Sequence, residues 1–157
     1  MARISKIYRI LISALLALLG FSCGRRDQVN EYGTPSATYK AKGVVVSEAD
    51  NSPIENIRAV LNYEDWPMDI DIQDTHPWVG HTDSKGFFSL ELHGFPRQKL
   101  YVELIDVDGE ANGSFAGMKV EADFTNATFT GGSGHWYEGE AEIDLKTIKM
   151  KPEDKPE

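Results

Sequence analysis

The segments "KGVVVSEADNSPIENIRAVL" (residues 42–61) and "HTDSKGFFSLEL" (residues 81–92) decide the fold of this 157-residue chain. From Phe88 onward the second segment alternates apolar and polar residues, which is the period of a strand with one buried face. In the turn before that strand, Asp83 can accept hydrogen bonds from backbone amides, and Gly86 can take a positive φ. The two segments therefore predict strands joined by tight turns, with Phe88 directed into a core.

The same two-residue period recurs in three later segments, "KLYVELIDV" (residues 99–107), "MKVEADF" (residues 118–124) and "GEAEIDLKTIKMK" (residues 139–151). In the last of these the apolar phase changes after Leu145. Because many short alternating segments separated by turns are typical of a sandwich, the chain is predicted to be all-β. We expect an antiparallel, seven-stranded β-sandwich over residues 39–150.

The two opening segments resemble the carboxypeptidase regulatory-like, or transthyretin-like (prealbumin-like), domain. They share with it a glycine–valine run, a turn proline and a Thr-Asp-x-x-Gly-x-Phe turn. The matching residues are Gly43, Val44, Pro53, Ile54, Ile57, Val60, Thr82, Asp83, Gly86 and Phe88. The resemblance implies a transthyretin-like sandwich in which these residues have structural roles. For Asp83, a role as a ligand is the alternative.

The N-terminal segment contains the only cysteine of the chain, Cys23. Three basic residues precede an apolar run over residues 10–21, which is shorter than the ~20 residues of a transmembrane helix. Ser22 and Cys23 follow directly. This arrangement resembles the bacterial lipoprotein signal, in which the signal peptide (residues 1–22) is removed and the cysteine receives a diacylglycerol and an N-terminal acyl chain such as palmitate. The alternative is an uncleaved helix with an incidental cysteine.

Composition predicts the two ends of the mature chain, and lipidation of the cysteine limits its chemistry. Residues 23–38 are polar and rich in turn formers, and they are predicted to form a lipidated tether. The charged, proline-broken residues 151–157 are predicted to be a disordered tail. With Cys23 lipidated no thiol remains, which excludes disulfides and cysteine zinc sites. The protein is expected in the bacterial cell envelope, anchored through its lipid to the outer membrane on the periplasmic side.

The charge balance excludes one class of partner. The chain has 16 basic and 25 acidic side chains and a formal net charge of −9. Residues 1–22 contain three basic and no acidic residues, so their removal makes the mature chain more acidic still. Because an acidic body repels phosphate backbones, nucleic-acid binding is not predicted.

The chain as a whole resembles a small family of lipoproteins found beside radical-SAM enzymes. The resemblance is carried by Cys23, "YGTPSATYKAKG" (residues 32–43), "DVDGEANGSF" (residues 106–115) and "GGSGHWYEGEAEIDL" (residues 131–145). It implies a partner enzyme and a shared biological context. It implies no reaction for this chain.

The segment "IDVDGEANGSF" (residues 105–115) contains three short oxygen-bearing side chains, Asp106, Asp108 and Asn112. Such oxygens are ligands that calcium prefers. The spacing departs from the EF-hand loop, because Gly109 follows the second aspartate directly. Two interpretations stay open, a calcium site or a glycine-rich turn whose aspartates accept hydrogen bonds from amides. No other cofactor is predicted.

Aromatic side chains supply a further candidate site. Trp136 and Tyr137 end the segment "TFTGGSGHWYEG" (residues 128–139). They either stack on a peptide or glycan ligand or close the end of a sandwich that lacks disulfides. The four histidines show no spacing typical of zinc sites. The carboxylates of residues 63–74 are consistent with a short edge strand whose acidic side faces water.

The motifs of the enzymes that share this type of sandwich are not found in the sequence. The chain ends in "KPEDKPE" (residues 151–157), whereas the transthyretin-like hydrolase ends in Tyr-Arg-Gly-Ser. The two tyrosines and two histidines of intradiol dioxygenases are not recognisable, and no common hydrolase or phosphate-loop motif occurs. We therefore predict a non-catalytic envelope module that binds a protein, peptide or glycan. The alternative is a metal-dependent envelope enzyme.

Overall fold

The computed structural model describes residues 33–64 and 75–153, which form eight β-strands and no helix. In chain order the strands are β1 (Ser36–Ser47), β2 (Ile57–Asn62), β3 (Val79–His81), β4 (Phe87–Gly94), β5 (Lys99–Asp106), β6 (Met118–Asp123), β7 (Thr130–Gly131) and β8 (Tyr137–Met150). β1 therefore includes the last three residues of the predicted tether. The described residues contain no helix that could cross a bilayer.

The strands form two four-stranded sheets. Sheet I has the order β4-β1-β8-β7, and sheet II has the order β3-β2-β5-β6. The all-β prediction is confirmed, whereas the prediction of seven strands is one short of the eight among the described residues. β3 and β7 are only three and two residues long, and no alternation can be read from so few residues.

β1 lies inside sheet I, antiparallel to β4 and parallel to β8. The prediction of a purely antiparallel sandwich is therefore wrong for this pair, because alternation indicates which face is buried but not the direction of the neighbouring strand. The phase change expected after Leu145 is a register shift at Lys146, whose φ is 60°. This bulge turns Ile148 and Met150 toward the core.

One apolar core fills the space between the sheets. It is built from alternate residues of the strands, and burial of each large side chain contributes about 1.5–3 kcal/mol relative to exposure. Its largest fully buried members are Tyr39, Phe88, Ile57, Leu61, Leu90, Leu100, Leu104 and Met150.

The turn between β3 and β4 has the structure that the sequence predicts. The Asp83 Oδ1 accepts hydrogen bonds from the Lys85 amide at 2.8 Å and the Phe87 amide at 2.9 Å. Gly86 has a φ of 73°, and its carbonyl accepts a bond from the Val45 amide at 2.8 Å. Because Asp83 and Gly86 hold the turn in this way, β4 enters the sheet in the register that buries Phe88.

Thr82 connects the same turn to the other sheet. Its buried hydroxyl donates to the Ile54 carbonyl at 2.7 Å and accepts from the Ile57 amide at 2.8 Å. A hydroxyl that both donates and accepts satisfies two buried backbone groups at once. The threonine of the turn motif is therefore a structural residue that ties β4 to the start of β2.

The Asp83 turn is expected to make the stability of the domain depend on pH in the acid range. Hydrogen bonds from the Phe87 and Lys85 amides hold the pKa of the Asp83 carboxyl below its usual value. The stabilisation is therefore complete above the unfolded-state pKa of about 3.9 and is lost as the pH falls through the lower folded-state pKa. Asp83→Asn should flatten the acid limb of the urea midpoint plotted against pH. An acid limb as steep as that of the wild type would contradict this role.

Candidate functional site

The loop after β5 gathers the three residues of the predicted calcium site. Asp106 ends β5, and its two carboxylate oxygens accept hydrogen bonds from backbone amides, that of Asp108 at 3.3 Å and that of Phe115 at 2.9 Å. These bonds close the loop over the buried Phe115 ring. Asp106 therefore acts as an acceptor for the backbone of its own loop.

Asp108 is bound by two amide side chains. Its Oδ2 accepts from Asn112 Nδ2 at 2.6 Å and from Asn56 Nδ2 at 3.3 Å. Asn112 thus offers an N–H to this carboxylate, whereas a calcium ion would need its carbonyl oxygen. The hydrogen bonds favour the glycine-rich turn, and the calcium site stays a prediction. Across the described ranges there is no cluster of three or more His, Cys, Asp or Glu side chains able to hold a metal.

The second candidate lies at the end of the sandwich where β1 begins, which we call the tether end. Here Ser36 pairs with Tyr137 of β8 on one side, and Ala37 pairs with Gly94 of β4 on the other. The Ser36 amide also donates to the Trp136 carbonyl at 2.7 Å. The predicted aromatic pair thus lies beside the point where the chain enters the domain.

Tyr137 and Trp136 have different environments. The Tyr137 hydroxyl donates to Thr38 Oγ1 at 3.0 Å, and the same oxygen lies 3.1 Å from His93 Nδ1. The His93 and Tyr137 rings are 5.9 Å apart between centroids. Trp136, in contrast, is 37% exposed. Tyr137 therefore belongs to a small polar cluster on sheet I, and Trp136 is the member of the pair that is open to solvent.

Phe95 is a residue of the tether end that the sequence analysis did not single out. It follows β4 directly, and its side chain is 60% exposed. Thr34, Pro35, Ser36, Gly94 and Phe95 line a groove of about 170 Å³. The available signal was a phenylalanine between a glycine and a proline in a turn, where an apolar ring has no strand partner to cover it.

Two tyrosine hydroxyls hold the backbone that carries Phe95. Tyr39 and Tyr63 each donate a hydrogen bond to the Phe95 carbonyl at 3.4 Å. The Tyr39 hydroxyl also accepts from the Arg97 amide at 2.5 Å, and burial raises the pKa of this hydroxyl. A Cβ on Gly94 would lie 2.1 Å from the Tyr63 hydroxyl, so this close approach requires glycine.

Cross-strand ion pairs cover the outer face of sheet I next to this cluster. Lys40 lies between Glu140 of β8 and Glu91 of β4, with 3.7 Å separating its Nζ from the Glu91 carboxylate. Lys42 pairs with Glu142 of β8. The hydrogen bond to Glu140 raises the pKa of the Lys40 ammonium. Such exposed pairs align neighbouring strands and contribute little to stability individually.

The remaining sequence candidates lie apart or outside the described residues. His76 stacks on Trp78 at 4.2 Å between ring centroids with an interplanar angle of 7°, and Trp78 packs against the core. This tryptophan is therefore a partly buried neighbour of the core. Cys23 and residues 65–74, which are most of the acidic segment, lie outside the described residues.

Comparison with known proteins finds similarity in structure only. No protein-family model and no curated protein matches the chain. The major pilin subunit BcpA of Bacillus cereus aligns with a TM-score of 0.43 and 13% identity, over 74% of this chain and 31% of the pilin. The group B streptococcus pilus 2b backbone protein aligns with a TM-score of 0.43 and 9% identity, over 72% of this chain and 40% of that protein.

A solved enzyme structure is also similar. The 3-chlorocatechol 1,2-dioxygenase of Rhodococcus opacus 1CP aligns with a TM-score of 0.38 and 10% identity, over 77% of this chain and 61% of the enzyme. The chain thus spans about a third of the length of BcpA and less than two thirds of the dioxygenase. At these identities the similarities concern the fold alone.

Proposed function

We propose that this chain is a lipid-anchored, non-catalytic accessory module of the bacterial cell envelope, held at the periplasmic side of the outer membrane. The observation that carries the proposal is the order of segments at the N-terminus. A basic and apolar segment ends at Ser22–Cys23, a short polar stretch follows, and an all-β sandwich begins with β1. Two or more acyl chains on Cys23 would anchor the protein stably.

The hydrogen bonds made by four polar side chains of the turns support a non-catalytic role. Thr82 and Asp83 bind backbone groups of the turn before β4, and Asp106 binds backbone amides of the loop after β5. Asp108 binds two amide side chains in that loop. A catalytic acid, base or nucleophile must instead reach a reacting atom of the substrate. These four residues therefore serve the fold, and the metal-dependent enzyme gains no support from them.

The resemblance to lipoproteins found beside radical-SAM enzymes supports an accessory role next to such an enzyme. The test is co-purification of the membrane-extracted, tagged chain with the radical-SAM enzyme encoded nearby in the genome. A chain without any such neighbour, or one that never co-purifies with it, would overturn this part of the proposal and leave the anchoring to be judged separately.

Lipidation is tested at Cys23. Cys23→Ser is expected to abolish incorporation of radiolabelled palmitate and to leave the protein as uncleaved precursor, because serine offers no thiol for the lipid. Ser22→Ala is the matched control, since it keeps a small residue before the cysteine and should be processed and labelled normally. Membrane fractionation and the gel mobility of both variants give the readout. Normal labelling of the serine variant would refute the anchor.

A further inference from the structure

We infer that the exposed rings of Phe95 and Trp136, which we call the tether-end patch, rest on the lipid–water interface of the membrane to which the chain is anchored. This inference rests on the proposed lipid anchor, and it assigns the membrane as the partner of the tether-end patch. It differs from the peptide or glycan ligand that the sequence predicted for Trp136 and Tyr137.

The strand register places the two rings at the same end of sheet I. Phe95 follows the last residue of β4, and Trp136 precedes the first residue of β8. Both strands pair with the first residues of β1, which lies between them. Strands two positions apart in a sheet are separated by about 10 Å, so the backbones that carry the two rings are neighbours. Both residues therefore lie in one region at the tether end of the sheet.

Both residues are exposed, and the backbone that carries each of them is hydrogen-bonded. The side chains are 60% exposed for Phe95 and 37% exposed for Trp136. The Phe95 carbonyl accepts bonds from two tyrosine hydroxyls, and the Trp136 carbonyl accepts one from the Ser36 amide. These bonds fix the backbone that carries the two rings at the tether end. Exposed apolar rings that lie close together at one end of a domain are typical of an interaction surface.

The position of the anchor identifies the partner. The tether-end patch flanks the start of β1, and only nine residues, 24–32, lie between Cys23 and Gly33. A stretch of that length reaches at most about 35 Å, so the tether end stays close to the bilayer whenever Cys23 carries lipid. Tryptophan and phenylalanine are residues that enter the interfacial region of membranes. A surface of apolar rings at the anchored end therefore fits a lipid interface.

The opposite end of the sandwich supplies a matched control. Phe87 begins β4 and is 41% exposed, and Val107 follows β5 and is 47% exposed. These two residues lie at the far end of their strands from the tether. They offer exposed apolar surface comparable to that of Phe95 and Trp136, without the proximity to the anchor.

The experiment measures how deeply Trp136 enters the bilayer. The full lipidated chain is purified from membranes and reconstituted into vesicles of phosphatidylethanolamine and phosphatidylglycerol whose acyl chains are brominated near the headgroup. Bromine quenches a tryptophan only at short range. The quenching due to Trp136 is the part that Trp136→Phe lacks. We expect brominated lipid to quench most of the Trp136 emission in the wild type and in the double variant Phe87→Ser/Val107→Ser. In Phe95→Ser we expect the quenching of Trp136 to be strongly reduced.

Three other results would overturn the inference. A wild-type chain that is absent from the membrane fraction would remove both the anchor and the patch assignment. If the chain is membrane-bound but Trp136 is not quenched, the lipid anchor is retained and the patch assignment is wrong. Trp136 is then better explained by a peptide or glycan ligand. An emission change that follows protein density in brominated and ordinary vesicles alike would assign the patch to a second copy of the chain. Matching urea midpoints among the variants verify that each one is folded.

Discussion

Replacing Tyr39 with alanine is expected to lower the free energy of unfolding by about 3–5 kcal/mol, the range for loss of a large buried aromatic ring. Tyr39 is 0% exposed. Its ring packs edge-on against Phe124 at 4.9 Å and Phe129 at 5.8 Å between centroids. Because small domains are stable by only about 5–15 kcal/mol, this single change removes a large share of the stability.

Two variants separate the causes of this loss. Tyr39→Phe keeps the ring and removes the hydroxyl that binds the Arg97 amide, so a loss of about 1–2 kcal/mol is expected. Tyr101→Ala is the control, because Tyr101 is half-buried on the outer face of β5 under the Lys119 ammonium, and about 1 kcal/mol or less is expected. Urea denaturation followed by tryptophan fluorescence gives the values. Equal losses for the alanine variants at Tyr39 and Tyr101 would contradict the assigned core.

The second large effect is expected at Gly86. In Gly86→Ala a residue with a Cβ must adopt the left-handed backbone conformation of Gly86, which costs about 1–2 kcal/mol. The added Cβ would also lie 2.2 Å from the Val45 carbonyl oxygen, so the turn must move. Movement of the turn breaks the bond between the Val45 amide and the Gly86 carbonyl. We therefore expect a loss clearly larger than the cost of the backbone conformation alone.

Gly109 provides the control for this substitution. Its φ of 65° is close to the 73° of Gly86, but a Cβ added there would meet nothing within 4 Å. Gly109→Ala should therefore show the conformational cost without the overlap. The difference between the two unfolding free energies, measured by urea denaturation, isolates the steric contribution of Val45. A difference close to zero would show that the turn before β4 adapts without strain.

The parts of the fold that were predicted correctly depend on local chemistry. The Asp83 carboxylate reaches an amide only four positions along the chain, and the Gly86 turn follows from the same short segment. The buried face of β4 follows from its two-residue alternation, which any strand with one covered face must show. Each of these features depends only on residues within a few positions of its sequence motif.

The candidate sites were predicted less completely for a related reason. Asp106, Asp108 and Asn112 are adjacent in the sequence and meet in one loop, but the partner Asn56 lies 52 positions away. Oxygen-bearing side chains at this spacing are compatible with either an ion or a turn, and the hydrogen bonds distinguish the two. Phe95 was not singled out because nothing in its own segment shows that its backbone is held by distant hydroxyls.

The sequence by itself determined the all-β class, the buried faces of the alternating strands β4, β5, β6 and β8, and the turn at Asp83, because these depend on alternation and on side-chain bonds within a few residues. Only the tertiary structure decided that β1 runs parallel to β8 and that Phe95 and Trp136 share one end of sheet I. The Tyr39 hydroxyl meets the Phe95 carbonyl 56 positions along the chain. Contacts of that range arise from the packing of the whole sheet, and no local pattern encodes them.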